Sequence, residues 1–236
     1  MIQFYAPDIE TTLCLPESDS GHCCRVLRMR PGDEVTVVDG AGMRYLCRLV
    51  DNNPRRTAVE IVAKEQVPQF WPNTITAMVA PTKNMDRMEW LVEKLVEVGV
   101  NRFVPVLCRN SERRAIKRER LEKIAVSAMK QSLKATLPLI AEMTPRRQAV
   151  ELFSSAQNFV GYCDDNTPRC LLSRAYRADT DVSLLIGPEG DFTPEEIAML
   201  TGSGFVPVTM GDNRLRTETA ALVAVTTCHV INQTAG

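Results

Sequence analysis

The 236 residues, 44% of them hydrophobic, are enough to bury a sizeable core and favour one or two domains over three. The 28 lysines and arginines nearly balance 29 acidic side chains, so a formal charge of -1 excludes a whole-molecule field as the means of recognising nucleic acid or an acidic substrate. With only His22 and His229, and eight cysteines that include no C-x-x-C pair, zinc cages, other metal sites and chemistry built on several histidines lack their parts. Reduced thiols are expected, no apolar run approaches the roughly 20 residues of a membrane helix, and Met1-Ile2-Gln3-Phe4-Tyr5 lacks a secretory pattern. A cytoplasmic protein is the expectation.

In chain order, Glu34-Val35-Thr36-Val37-Val38 reads as a strand, Asp39-Gly40-Ala41-Gly42 as a turn and 45–50 as the returning strand, with a further strand over 57–62. Such short strands close into a small barrel or a sandwich, and periodicity does not choose between them. The proline-bearing stretch 66–72 predicts a linker, which divides the chain into domains of 1–70 and 71–236. The apolar run 75–80 is a buried strand ended by Pro81, and Met85, Met88, Leu91, Leu95 and Val98 form one face of a helix over 85–98 that Gly99 stops. Strand 103–107, helix 116–133, strands 158–162 and 182–186, helix 194–200, strand 205–208 and a helix from about 217 follow, an alternation that indicates an α/β sheet. Thr193-Pro194-Glu195-Glu196 carries the hydroxyl, proline and glutamate of a capping box.

Residues 109–123 form a local basic block, with Arg109, Arg113, Arg114, Lys117, Arg118, Arg120 and Lys123 against Glu112, Glu119 and Glu122. Charge alone favours a solvated helix face with i,i+4 pairs such as Glu119 and Lys123, so phosphate binding there needs support from elsewhere.

Two segments carry chemistry. In the first, Leu184-Leu185-Ile186 breaks into Gly187-Pro188-Glu189-Gly190 just before the capped helix, and ligands of open α/β sheets bind where strands end. Gly187 and Gly190 leave the backbone open to close approach, with the Glu189 carboxylate at the rim; a tight β-to-α connection explains the same residues, and G-x-G-x-x-G is absent. In the second, Met210-Gly211-Asp212-Asn213-Arg214-Leu215-Arg216-Thr217-Glu218-Thr219-Ala220-Ala221 leads a polar loop into an alanine-rich helix. Thr217 is the expected N-cap and Glu218 suits the positive helix end, whereas Arg214 and Arg216 are cations where the dipole disfavours them, which hints at function.

Taken together, and with His22, Val26-Leu27-Arg28, Gly32-Asp33 and Asp39-Gly40 upstream and Lys94, Glu97, Gly99, Pro105, Gln131-Ser132 and Pro138 between, the chain resembles the RsmE family. These are the small-subunit ribosomal RNA uridine-N3 methyltransferases of the SPOUT superfamily. The sequence departs from the family pattern at Asp191, where a second glycine is usual, and at Lys134, where an arginine is usual and lysine lacks the bidentate fork.

The resemblance implies a C-terminal SPOUT-type α/β domain with a deep trefoil knot from about Val182, preceded by a small PUA-like β-barrel RNA-binding domain, in a homodimer. It implies S-adenosyl-L-methionine as cofactor, lined by Ile186, Gly187, Glu189, Gly190, Met210, Gly211, Leu215 and Thr219, with the adenine held mainly by backbone groups. Arg216 is then the candidate for stabilising a uridine anion, and Glu218 either accepts the imide proton or orients Arg216. Arg25, Arg28, Arg113, Arg114, Lys117 and Lys134 are the candidates for ribosomal RNA contacts, while His22 reads equally as a packing residue or an RNA contact. Two rivals stay open: a non-catalytic RNA-binding ribosome-assembly factor, and a related SPOUT enzyme acting on another RNA atom.

Overall fold

The computed structural model describes residues 2–163 and 169–235. The chain falls into two compact units, one of Met1–Phe70 with Val126–Leu137, the other of Trp71–Ala125 with Pro138–Gly236. Residues 126–137, expected in the second domain, thus count with the first.

The first unit contains β1 (Gln3–Tyr5), α1 (Ile9–Thr12), α2 (Glu17–Gly21), a turn of π-helix (His22–Val26), β2 (Glu34–Val38), β3 (Met43–Leu49) and β4 (Val59–Gln66). Its sheet runs β1-β2-β3-β4, with β1 parallel to β2 and the other pairs antiparallel. The turn between β2 and β3 forms where expected because the Asp39 carboxylate accepts the amides of Ala41 and Met43, at 2.7 and 3.0 Å. Along β3, Tyr45, Cys47 and Leu49 point into a core with Phe4, Ile9, Leu15, Val35 and Val37, while Arg44 and Arg48 alternate outward. The expected barrel is, among the described residues, this sheet extended by a Cys14–Ala58 bridge at the start of β4. Residues 126–137 join the unit through Lys130, 2.6 Å from Asp19, and through the Lys134 carbonyl, which accepts from Gln3 Nε2 at 2.8 Å.

The second unit follows with β5 (Ile75–Val79), α3 (Met85–Val98), β6 (Arg102–Leu107), α4 (Arg118–Gln131, counted with the first unit from Val126 on), β7 (Leu139–Ile140), β8 (Thr144–Pro145), α5 (Arg146–Phe153) and β9 (Gln157–Gly161). It closes with β10 (Cys170–Leu171), α6 (Leu172–Ala175), β11 (Val182–Ile186), α7 (Pro194–Gly202), β12 (Val206–Thr209) and α8 (Thr217–Thr234). The sheet is parallel throughout, in the order β10-β12-β9-β11-β5-β6-β7, with β8 also beside β6. Every residue of β5 and β11 is buried, as suits central parallel strands covered on both faces. Helix α8 packs against α3, β5 and β11. The order reverses around β11: the chain steps from β5 to β6 on one side, returns to β9 on the other, and inserts β11 between β9 and β5. Such a reversal opens a crevice at the carboxyl ends of the strands.

Among the described residues, no helix is long and apolar enough to cross a membrane, and no group of three or more His, Cys, Asp or Glu is placed to hold a metal ion.

Candidate active site

Three neighbouring strands, β12, β9 and β11, end level with one another, Val208 and Ile186 both facing Gly161 in register. Their outgoing loops and the start of α8 enclose a cleft of about 980 Å³, within the size range of small-molecule sites. Ile186, Gly187, Glu189, Gly190, Met210, Gly211, Leu215 and Arg216 all line it, so the two separated sequence segments meet where the strand order reverses.

The turn after β11 is held from behind. Asn110 donates through Nδ2 to the carbonyls of Gly190 and Asp191, at 3.1 and 3.0 Å, and a Cβ on Gly190 would lie 3.2 Å from the Asn110 Cβ. A Cβ on Gly187 would lie 2.9 Å from the Phe192 ring. Packing within the protein therefore already requires Gly187 small and leaves little room at Gly190, a reason separate from ligand approach. Asp191, where the family pattern has glycine, sits in the left-handed region at φ 58°. Its carboxylate accepts the amides of Cys163 and Phe192, at 2.9 and 2.8 Å, ties that no glycine supplies.

The second segment is corrected at the start of α8. Arg216, not Thr217, is the N-cap residue, with extended backbone, and its side chain makes no cap bond. The Thr217 hydroxyl is engaged elsewhere, donating to the Gly187 carbonyl at 3.1 Å and tying the helix start to the turn after β11. Helical periodicity then decides which residues face the cleft: Arg216, Thr217 and Ala220 do, while Glu218 and Thr219, expected in the site, are absent from its lining. Arg214 and Arg216 are exposed on the cleft, and neither guanidinium has a hydrogen bond or ion pair among the described residues.

Glu218 is instead buried, with only 8% of its side chain exposed and Oε1 3.7 Å from the Arg87 Nε. The same guanidinium lies 3.5 Å from Glu189 through Nη1, and Glu189 also accepts the Lys83 amide at 3.1 Å. Arg87, Asn110 and the cleft residues Tyr162 and Arg169 went unseen in the sequence. Their strings have no recognisable motif, and only the sheet order brings them to one rim.

Three of the seven cations in the basic block are held by internal contacts. Arg113 donates through Nε and Nη2 to the Lys83 carbonyl, at 3.2 and 2.8 Å; Arg118 pairs with Glu122 and Glu142, and Arg120 with Glu89. Glu112 hydrogen-bonds Lys83 and holds its ammonium above the ordinary value. The i,i+4 pair on this helix is thus Arg118–Glu122. Arg114 and Lys117 stay exposed, as do Arg25, at the end of the π-turn, and Arg28, at φ 54°. His22 sets its ring edge against Phe4, centroids 6.4 Å apart.

The cleft fits a nucleoside with a charged tail. Ile186, Val208, Met210, Leu215 and Ala220 give an apolar bed, the loop backbones supply amides and carbonyls, and Glu189, Asp191 and Asp212 supply carboxylates suited to a sulfonium and an ammonium. A Cβ on Gly211, at φ 133°, would meet nothing, so that loop stands open.

Comparison with known proteins gives a consistent result. A family model described as an RNA methyltransferase domain matches residues 69–229, and one described as an RNA methyltransferase PUA domain matches 15–62. The chain is 30% identical over 220 residues to the ribosomal RNA small subunit methyltransferase E of Aquifex aeolicus, covering 90% of this chain and 92% of that one. A probable rRNA-methyltransferase from Porphyromonas gingivalis superposes with a TM-score of 0.96 at 42% identity over the whole of both chains. A Neisseria gonorrhoeae ribosomal RNA small subunit methyltransferase E bound to S-adenosyl methionine superposes with 0.85 at 28% identity, covering 98% of each.

Proposed function

The chain belongs to the RNA methyltransferase family that includes the ribosomal RNA small subunit methyltransferases E, and on that premise we propose that it methylates N3 of a uridine in 16S ribosomal RNA. The observation that carries this reading is the cleft itself, where the turn after β11 and the loop before α8 meet beside two exposed arginines.

S-adenosylmethionine, when bound, supplies an electrophilic methyl group on a positively charged sulfur. Ile186, Met210 and Leu215 would hold its adenosine part and Glu189, Gly190 and Gly211 its polar edge, while Thr219 drops out of this set because the helix turns it away. Uridine N3 attacks poorly while it bears the imide proton. For an imide titrating about two units above neutral, reaching the anion costs on the order of 3 kcal/mol, an amount one well-placed cation supplies. Arg216 takes that role. Glu218, away from the cleft, acts by fixing the helix start on which Arg216 stands, not as the proton acceptor, and the imide proton leaves to water in the open cleft. Arg25, Arg28, Arg114, Lys117 and Lys134 contact the RNA backbone, and Arg113 is reassigned to holding the Lys83 loop.

Insertion of β11 between β9 and β5, followed by return of α8 over β11 and β5, supports a trefoil knot from about Val182. The family resemblance supports a homodimer working in the cytoplasm. The experiment is methyl transfer from labelled S-adenosylmethionine to undermodified small subunits, with the product nucleoside identified by mass spectrometry. N3-methyluridine is expected, and another methylated nucleoside overturns the target. Arg216→Ala is expected to abolish turnover while calorimetric cofactor binding survives, and equal loss of both removes its catalytic assignment.

A further inference from the structure

We propose that Arg87, in α3 and outside both signature segments, is a positioning residue that locks the turn after β11 and the start of α8 into one arrangement. The proposal deepens the methyl-transfer reading and rests on it.

One guanidinium lies between two carboxylates, Nη1 at 3.5 Å from Glu189 and Nε at 3.7 Å from Glu218. Each acid belongs to a different segment, one at the centre of the turn, the other in the first turn of α8. The Glu218 side chain is 8% exposed and its Oε2 has no hydrogen-bond partner, so the carboxylate is buried with Arg87 as its counter-charge. Removing the cation from such a carboxylate leaves an uncompensated charge, and the helix start must shift to rehydrate it. Arg216 stands two residues before Glu218, and its carbonyl accepts the Ala220 amide at 2.8 Å, so a shift at Glu218 moves Arg216 as well. On the other side Glu189 is already gripped by the Lys83 amide at 3.1 Å. That grip makes the turn the fixed end and α8 the end that Arg87 sets. The fork of arginine reaches both acids at once, whereas a lysine ammonium serves as a single point charge.

The test compares wild type, Arg87→Ala, Arg87→Met and Arg87→Lys, with Glu218→Gln alone and combined with Arg87→Ala, all checked for folding by circular dichroism. Arg87→Ala and Arg87→Met are expected to lower kcat roughly tenfold, a size in line with coupling between contacting charges, with KM for RNA unchanged. Arg87→Lys recovers part of that loss. In the Glu218→Gln background, where the buried charge is gone, Arg87→Ala costs much less than in wild type. Wild-type kcat in folded Arg87→Ala, an equal loss in both backgrounds, or a loss that only tracks the unfolded fraction overturns the proposal. The wild-type reaction separates this from the functional reading: if wild type binds S-adenosylmethionine yet methylates no uridine, that reading fails. Arg87 is then judged on cofactor affinity, where equal affinity in wild type and Arg87→Met overturns it.

Discussion

Asp191 shows how a single residue can depart from its family and keep the local geometry. A side chain at φ 58° costs little for aspartate, whose short polar group bonds locally, and its carboxylate here engages two amides. Asp191→Gly keeps the conformation and loses those bonds; Asp191→Ala loses them and adds backbone strain. Alanine is therefore expected to be the worse substitution, by about 1 kcal/mol in denaturant unfolding, and equal stabilities would show that the left-handed backbone is not retained. The buried thiols make a second prediction. Burial pushes the Cys108 and Cys228 thiols up to about 12, well above the ordinary 9.0 at which the unfolded chain releases the proton. The stabilisation is complete below about pH 9 and is lost as pH rises toward 12, because only the unfolded state then gains by ionising. Thermal midpoints under reductant are expected to fall above pH 9, and less steeply in Cys228→Ala than in wild type; parallel curves would remove the thiol from the explanation.

Among the elements, α7 carries its capping box as read: Thr193 Oγ1 accepts the Glu196 amide at 3.3 Å, and Glu196 Oε2 accepts the Thr193 amide at 2.9 Å. Glu196 does more than the motif implies, because its Oε1 also accepts the Arg109 amide at 3.0 Å and pairs with Arg146 at 3.1 Å, with the residue 4% exposed. Thr193→Ala is expected to cost about 1 kcal/mol, the ordinary value of a cap, and Glu196→Ala more, about 3 kcal/mol, since the half-buried Arg146 loses its counter-charge and the Arg109 amide its acceptor. Equal losses in denaturant titrations would reduce Glu196 to its capping role. What was legible followed the same division. Helix α3 came out at its observed bounds because five apolar residues repeat at helical spacing and glycine ends it, and β5 and β11 were legible because each is a mostly apolar run broken only by a small hydroxyl residue. Helix α5 was missed because it starts Arg-Arg-Gln after an uncapped proline, and β7, β8 and β10 because two residues have no period. In the site, residues within the two strings were legible, while Arg87 and Asn110 act across 102 to 131 and 80 to 81 positions of chain that no local pattern spans.

For the whole molecule, a formal charge of -1 means that RNA affinity must come from particular cations, and the internal pairing decides which remain. Arg118, Arg120 and Arg113 are held by Glu122, Glu89 and the Lys83 carbonyl, so the basic block contributes less than its composition suggests. Arg25, Arg28, Arg114, Lys117, Arg214 and Arg216 have no ion pair among the described residues. Each phosphate contact on single-stranded RNA adds about 0.7 to the slope of log affinity against log salt, so even with all of these and Lys134 engaged the slope is expected to be no steeper than about -5. Fluorescence anisotropy of a labelled ribosomal RNA fragment across a salt series measures it. A slope near zero would remove phosphate contacts from the binding mode altogether. One steeper than about -6 would mean that Arg118 and Arg120 exchange their glutamates for phosphates, and Glu122→Gln would then raise affinity at low salt.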